Sequence, residues 1–301
     1  MEIKVAKNIG FCWGVKRALD ITFKALEDSR PELHSLGQVI HNPQMSAELS
    51  EKGLVIAKDV KDVKSGRFLV RSHGIAPLLM QDLADRKIEI IDATCPFVKR
   101  TQSLIDKLRE EGYAIIIIGE PDHPEVKGLI GYAGTDTVVV NKVSQLDNCR
   151  FVRNKKWAIV AQSTQSQKNF QEIVSSLIEE KFPELRILFT ICQETLKREE
   201  LAQDLAKSCD LMLVVGGFNS ANTRRLKEIV QACGRLSYQI ENAQQIEPHW
   251  FNSVDSVGII SGTSTPQYVV DEVIKRINEL KICGIRKTTP NLFGLPDGSQ
   301  A

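Results

Sequence analysis

The feature that most constrains this chain is a seam between an apolar run and a helix pattern, with a cysteine on it, written three times. The seams hold Cys12, Cys95 and Cys192, and a Lys-Arg pair follows each cysteine by four to six residues. The spacing beyond each seam also repeats. Cys12 to His41 is 29 residues, Cys95 to His123 is 28 and Cys192 to Asn219 is 27. The cysteines are 83 and 97 residues apart, with about 90 residues left before a short tail. Self-similarity at a steady period means one supersecondary plan used several times.

Between the seams, helix and strand patterns alternate. Trp13 to Leu26 has apolar residues on one helical face, and Gln44 to Lys52 reads as a helix ended by Gly53. A short apolar stretch ending in His41-Asn42-Pro43 lies between them. Leu54 to Ala57 and Arg67 to Arg71 read as strands, Pro77 to Arg86 as a helix, and the strand Ile88 to Asp92 delivers Cys95. Tyr113 to Ile118 is apolar throughout, as a strand covered on both faces is. A helix, the strands 137–140 and 157–160, a helix 167–181 and the strand 186–189 then deliver Cys192. The third segment runs through strands 211–215, 236–240 and 256–260 and a helix ending near Leu280, but lacks the strand that should deliver a fourth cysteine. The N-terminal run Glu2 to Ala6, which precedes Cys12, can supply it.

The fold expected is therefore α/β: three similar parallel-sheet lobes around a pseudo-threefold axis. Their spans are 12–94, 95–191 and 192–280, the last completed by the N-terminal strand 1–11, with a C-terminal tail 281–301 that is extended or partly disordered. In parallel sheets ligands gather at the carboxyl ends of the strands. Every unusual polar cluster follows a strand, so three such lobes bring all of them to one centre.

Composition narrows the function. A net charge of +1 gives no reason to expect nucleic acid. No apolar run is long enough to cross a bilayer, and the start lacks the layout of a signal peptide. Seven cysteines, an odd number, fit a reducing cytoplasm and free or metal-bound thiols better than a disulfide framework.

Three thiolates on equivalent loops are soft ligands, suited to an iron–sulfur cluster or to zinc. No C-x-x-C pair of the usual zinc type occurs. A cubane held by three cysteines would leave one iron open to a substrate. Cys149, Cys209, Cys233 and Cys283 lack the seam context and are expected to pack as small hydrophobes. His41, His73 and His123 follow strands, and Asn219, Ser220, Asn222, Ser264 and Thr265 add neutral donors. With backbone N–H groups at helix starts, these suit a phosphate or diphosphate, although Ser, Thr and Asn also cap helices routinely. Glu125, in His-Pro-Glu-Val, is the carboxylate inside such a cluster: near a cluster and a diphosphate its pKa is expected to rise so that it donates a proton, while a helix-start Glu favoured by the dipole fits the sequence about equally well. His34 and His249 are expected to be surface residues.

Gly10-Phe11-Cys12, Ser72-His73-Gly74, Asp92-Ala93-Thr94-Cys95-Pro96, His123-Pro124-Glu125-Val126 and Asn219-Ser220-Ala221-Asn222-Thr223 occur in this order. Together they resemble the 4-hydroxy-3-methylbut-2-enyl diphosphate reductase family, over nearly the whole chain. The resemblance implies a [4Fe-4S] cluster on Cys12, Cys95 and Cys192, whose open iron takes the terminal hydroxyl of a small diphosphate substrate. It implies diphosphate contacts from His41, His73, His123, Ser220, Asn222 and Ser264, with Ser163 at the substrate alcohol. Glu125, Ser163 and His123 form the implied catalytic set, Glu125 relaying the proton with which the hydroxyl leaves as water. Two electrons, arriving singly from a ferredoxin or flavodoxin, and a proton would give isopentenyl and dimethylallyl diphosphates. The chain would act as a monomer or weak homodimer. Three departures stand out: Ser163 where the family usually has threonine, Ala221 where it often has a hydroxyl residue, and Gln193-Glu194-Thr195 after the third cysteine, to which no function is attached. The residues by themselves also leave open a zinc-dependent hydrolase with a Cys/His site and a non-enzymatic iron–sulfur sensor.

Overall fold

The computed structural model describes residues 1–28, 31–152 and 154–282. In chain order the elements are β1 (Glu2–Val5), α1 (Trp13–Glu27), β2 (Leu33–Leu36), α2 (Pro43–Glu51), β3 (Leu54–Ala57), β4 (Arg67–Val70), α3 (Pro77–Asp85) and β5 (Glu89–Asp92). There follow α4 (Pro96–Glu110), β6 (Tyr113–Ile118), α5 (Pro124–Ala133), β7 (Thr137–Val140), β8 (Lys156–Ala161), α6 (Gln167–Ile178) and β9 (Leu185–Ile187). The last are α7 (Gln193–Lys207), β10 (Leu211–Val215), α8 (Ala221–Ala232), β11 (Leu236–Ile240), β12 (Ser256–Ser261) and α9 (Gln267–Ile282).

The strands form three four-stranded sheets, ordered β3-β2-β4-β5, β7-β6-β8-β9 and β11-β10-β12-β1. All pairings are parallel. The order is the same each time, and β1 occupies in the third sheet the edge that β5 and β9 occupy in theirs. Glu2 pairs with Ser256 and Val5 with Ile259, so the chain's first strand completes its last sheet. A short 3₁₀ turn follows the second strand of each unit, at Val60–Asp62, Val143–Asn148 and Ala243–Gln245.

Parallel strands buried on both faces need apolar residues at every position. β6 meets this with four consecutive isoleucines. Ile116 and Ile118 join one core with Trp157 and Phe170, while Ile115 and Ile117 join the opposite core with Leu129 and Val160. β10 divides likewise, Leu211, Leu213 and Val215 to one side and Met212 and Val214 to the other. Each fully buried side chain of this size contributes roughly 1.5–3 kcal/mol.

Two local expectations change. β2 was only a short apolar stretch in the sequence, since His34 and Ser35 interrupt it. It is a strand because β3 and β4 flank it on both sides. The tail expected from residue 281 begins inside α9, and residues 283–301 lie outside the described residues, as does Cys283. No helix among the described residues is long and apolar enough to cross a membrane.

Candidate functional site

Each seam cysteine is the N-cap of a helix: Cys12 of α1, Cys95 of α4 and Cys192 of α7. Their backbones are extended, with φ of −69°, −60° and −70°. The N–H of each is held by the residue just past the third strand of a sheet. Cys12 N donates to Thr263 O at 3.0 Å, Cys95 N to Ser72 O at 3.0 Å and Cys192 N to Ser163 O at 2.9 Å. One backbone bond, made three times, turns three thiols toward a common centre. Gly14 shows that Cys12 and Cys95 lie close together: a Cβ there would lie 2.6 Å from Cys95 Sγ and 4.0 Å from Cys12 Sγ.

Burial pushes all three thiols above their ordinary range, against the helix-start N–H groups that favour thiolate. Cys12 and Cys95 both raise Cys192, and Cys12 and Glu125 raise Cys95, so each negative charge here opposes the next. A bound cation would reverse that balance and deprotonate them.

The thiols open into a cavity whose empty volume is ≈ 750 Å³. Its wall contains Cys12, Cys95, Cys192, His41, His73, His123, Glu125, Ser163, Ser220, Asn222 and Ser264, all but two of the residues expected to form a site. Asn219 does not reach it: the residue is exposed, because α8 starts only at Ala221. Thr265 turns away as well, donating to Val215 O at 3.0 Å. The repeat in spacing therefore locates the loop, whereas the helix start two residues later selects the side chains.

The ring centroids of His41, His73 and His123 are 4.8, 5.6 and 5.3 Å apart. Burial, then the charge of Arg71 among others, lowers His41 to about 4 and His123 to about 3. His73 falls well below the usual range for the same reasons. The trio is neutral at pH 7. One nitrogen from each ring lies within 4.8 Å of the others, close enough for a single metal ion. Two observations favour an anion. His123 Nδ1 accepts the Glu125 N–H at 3.2 Å, so the neutral ring keeps its proton on Nε2 and is a donor there. The surrounding charges on the trio, Arg71 and Arg224, are positive. His41 Nε2, His73 Nδ1 and both amide atoms of Asn222 are buried without a hydrogen-bond partner among the described residues. Buried polar atoms are rarely left so, and a ligand with several oxygens would satisfy them.

Glu125 is almost wholly buried, which raises its pKa against two bonds from Ser163. Ser163 N donates to Oε1 at 2.7 Å and Ser163 Oγ to Oε2 at 2.6 Å. Ser163 O in turn receives Cys192 N–H, so one residue spaces the acid from the third cysteine. Ser220 caps α8, accepting from Thr223 N at 3.3 Å, and still faces the cavity. Ser264 Oγ donates to His41 O at 3.2 Å, binding the β12–α9 loop to the β2–α2 loop. The departure at Ala221 also lines the cavity and brings no donor.

Glu194 and Thr195, given no role from the sequence, line the cavity beside the cysteines, and Glu194 raises the Cys12 pKa. The signal was present: a carboxylate two residues past a seam cysteine sits in the first turn of the helix. Cys149, Cys209 and Cys233 stay out of the cavity. Cys209 is buried in the core with Met212 and Leu226, whereas Cys233 is exposed at the end of α8. His249 is largely exposed, and the His34 side chain, 13% exposed, is more enclosed than a surface residue.

The family model described as LytB protein matches residues 3–278. A 4-hydroxy-3-methylbut-2-enyl diphosphate reductase from Geobacter metallireducens is 42% identical over 280 residues, 93% of this chain and 98% of the relative. The one from Syntrophotalea carbinolica is 43% identical over 281 residues, 93% and 99% of the two chains. A solved reductase from Plasmodium falciparum, named for the E-1-hydroxy-2-methyl-but-2-enyl-4-diphosphate, superposes with a TM-score of 0.85 at 28% identity, over 92% of this chain and 87% of that one. Matched along nearly its whole length by the model and by relatives that are reductases, the chain belongs to the LytB protein family and is an enzyme.

Proposed function

We propose that this enzyme reductively removes the hydroxyl of (E)-4-hydroxy-3-methylbut-2-enyl diphosphate, giving isopentenyl and dimethylallyl diphosphates. The observation that carries the reading is one cavity lined by three thiols and three neutral histidines, with Glu125 in the same wall. Three cysteines at three helix N-termini fit a [4Fe-4S] cluster. They are soft ligands, their positive helix ends suit an anionic cluster, and all three line the same cavity. When bound, such a cluster supplies electrons one at a time and one iron without a protein thiolate.

The protein's own part follows from the donors in the wall. His41, His73, His123, Ser220, Asn222 and Ser264 hold the diphosphate. Ser264 must release His41 O to donate there. Ser163 keeps Glu125 within reach of the substrate hydroxyl. Glu125, whose pKa burial raises, gives its proton to that oxygen as the C–O bond breaks and water leaves. Two electrons and a second proton, at carbon, complete the balance. The electrons come from a small one-electron carrier of the ferredoxin or flavodoxin kind. The units 12–94, 95–191 and 192–280, with strand 1–11, act as three lobes whose loops line the one cavity.

The test is anaerobic purification with iron and sulfide analysis. A brown protein with about four irons per chain, turning over the substrate with reduced viologen, is expected. Colourless protein with stoichiometric zinc would refute the assignment of the cysteines.

A further inference from the structure

The cavity wall contains histidines, hydroxyls and amides but no lysine or arginine, and its two carboxylates add negative charge. A diphosphate brings more. Neutral donors can orient such an anion, but they do not balance it.

Two guanidiniums stand behind the histidines, and their surroundings differ. Arg224, on α8, places Nη2 3.2 Å from both carboxylate oxygens of Glu120, so its charge is already matched. Arg71, between β4 and His73, forms no ion pair with any described residue. Its Nη1 donates to Gln38 O at 3.2 Å, and its Nε is enclosed without a partner. Gly37, at φ +75°, makes room for it: a Cβ there would lie 2.9 Å from Nη1. The guanidinium thus spans the loop that ends in His41 and the strand end that leads to His73. Desolvation lowers its pKa to about 10, which leaves it charged at pH 7. Arg71 also acts through space on all three histidines. Arg71 is half-buried, with its Nε enclosed and no ion pair to any described residue, and the cavity lined by the rings it influences is built for an anion.

We infer that Arg71 supplies the counter-charge for the substrate's diphosphate, acting from behind the histidine wall as a positioning residue without touching the reacting atoms. The inference rests on the diphosphate reading of the cavity. The structure leaves the charge uncompensated, so the ligand completes the pair.

The test measures binding of inorganic diphosphate to anaerobic holoenzyme by calorimetry, across pH 5.5–8, for the natural chain, Arg71→Met and Arg71→Lys. Arg71→Met should bind roughly 10- to 100-fold more weakly, with KM raised far more than kcat falls. Arg71→Lys, which keeps the charge, should recover most of the affinity. Because Arg71 lowers the histidine pKa values, its removal should also move the acid-side strengthening of binding to higher pH. Unchanged affinity in Arg71→Met would overturn the inference. So would equal losses in both variants with an unchanged pH profile, since that marks a purely structural role. No binding by the natural chain would instead sink the diphosphate reading itself, and this inference with it.

Discussion

Replacing Glu125 with glutamine separates its chemistry from its packing. The carboxylate accepts from Ser163 N at 2.7 Å and Ser163 Oγ at 2.6 Å. In Glu125→Gln the amide oxygen still accepts from the N–H, and the amide nitrogen donates to the hydroxyl, which can reverse its role. Both contacts survive, and only the titratable proton is lost. A positioned general acid contributes about 10²- to 10⁴-fold, so kcat should fall by that factor, equivalent to about 2.7–5.5 kcal/mol. Stability should move the other way. Burial raises the Glu125 pKa, so the folded state binds its proton more tightly than the unfolded chain. The ionised group then costs stability as pH rises through the unfolded value, and the full cost is present above the folded value. Each unit of displacement is worth about 1.4 kcal/mol, and glutamine removes the cost at pH 7. The assay pairs viologen-driven turnover with anaerobic thermal melting at pH 7, at equal iron content. Full turnover in the variant would refute the proton-donor role. A lower melting temperature with intact iron would refute the burial argument.

Gly14→Ala places a methyl 2.6 Å from Cys95 Sγ, so iron per chain should fall below half that of the natural protein, although alanine favours the helix by about 1 kcal/mol; full iron content would contradict the shared thiol centre. Ser163→Ala removes a charge-assisted bond worth about 1.5–3 kcal/mol that holds the Glu125 pKa down, so the basic limb of the kcat–pH profile should move to higher pH. An unmoved limb would detach Ser163 from the acid. Clipping residues 1–5 strips β1 from β12 and removes Met1, Ile3 and Val5 from the third lobe's core. Several kcal/mol are lost, and the melting temperature should drop by about 10 °C; an unchanged melt would show that β1 contributes nothing.

Much of the fold was legible because its signals are local. Four isoleucines in β6, between turn residues, fit a strand buried on both faces, and a cysteine after an apolar run and before a helix pattern marks the seam where a helix starts. The completing role of β1 followed from counting, since one copy of the plan was a strand short. β2 was missed because Leu33-His34-Ser35-Leu36 owes its strand character to neighbours on both sides. Asn219 was placed by spacing, but spacing cannot see that α8 begins past it and aims Ser220 and Asn222 inward. Arg71 carried no motif, and Glu194 carried only its place two residues past a seam cysteine. Their position is set by the loops and helix starts around them.

The sequence by itself determined the three seams, the strands between them and the residue types available for soft-metal and diphosphate chemistry, because these depend on side-chain periodicity and on chemistry a few residues apart. Only the tertiary structure decided which of those residues meet. Ser264 Oγ bonds His41 O, Arg198 bonds both Gly10 O and Ser261 O, and Arg224 bonds Glu120, each across 63 or more residues of chain. Such bonds form only when the sheets pack, and it is that packing which leaves three histidines neutral and one guanidinium without an ion pair among the described residues.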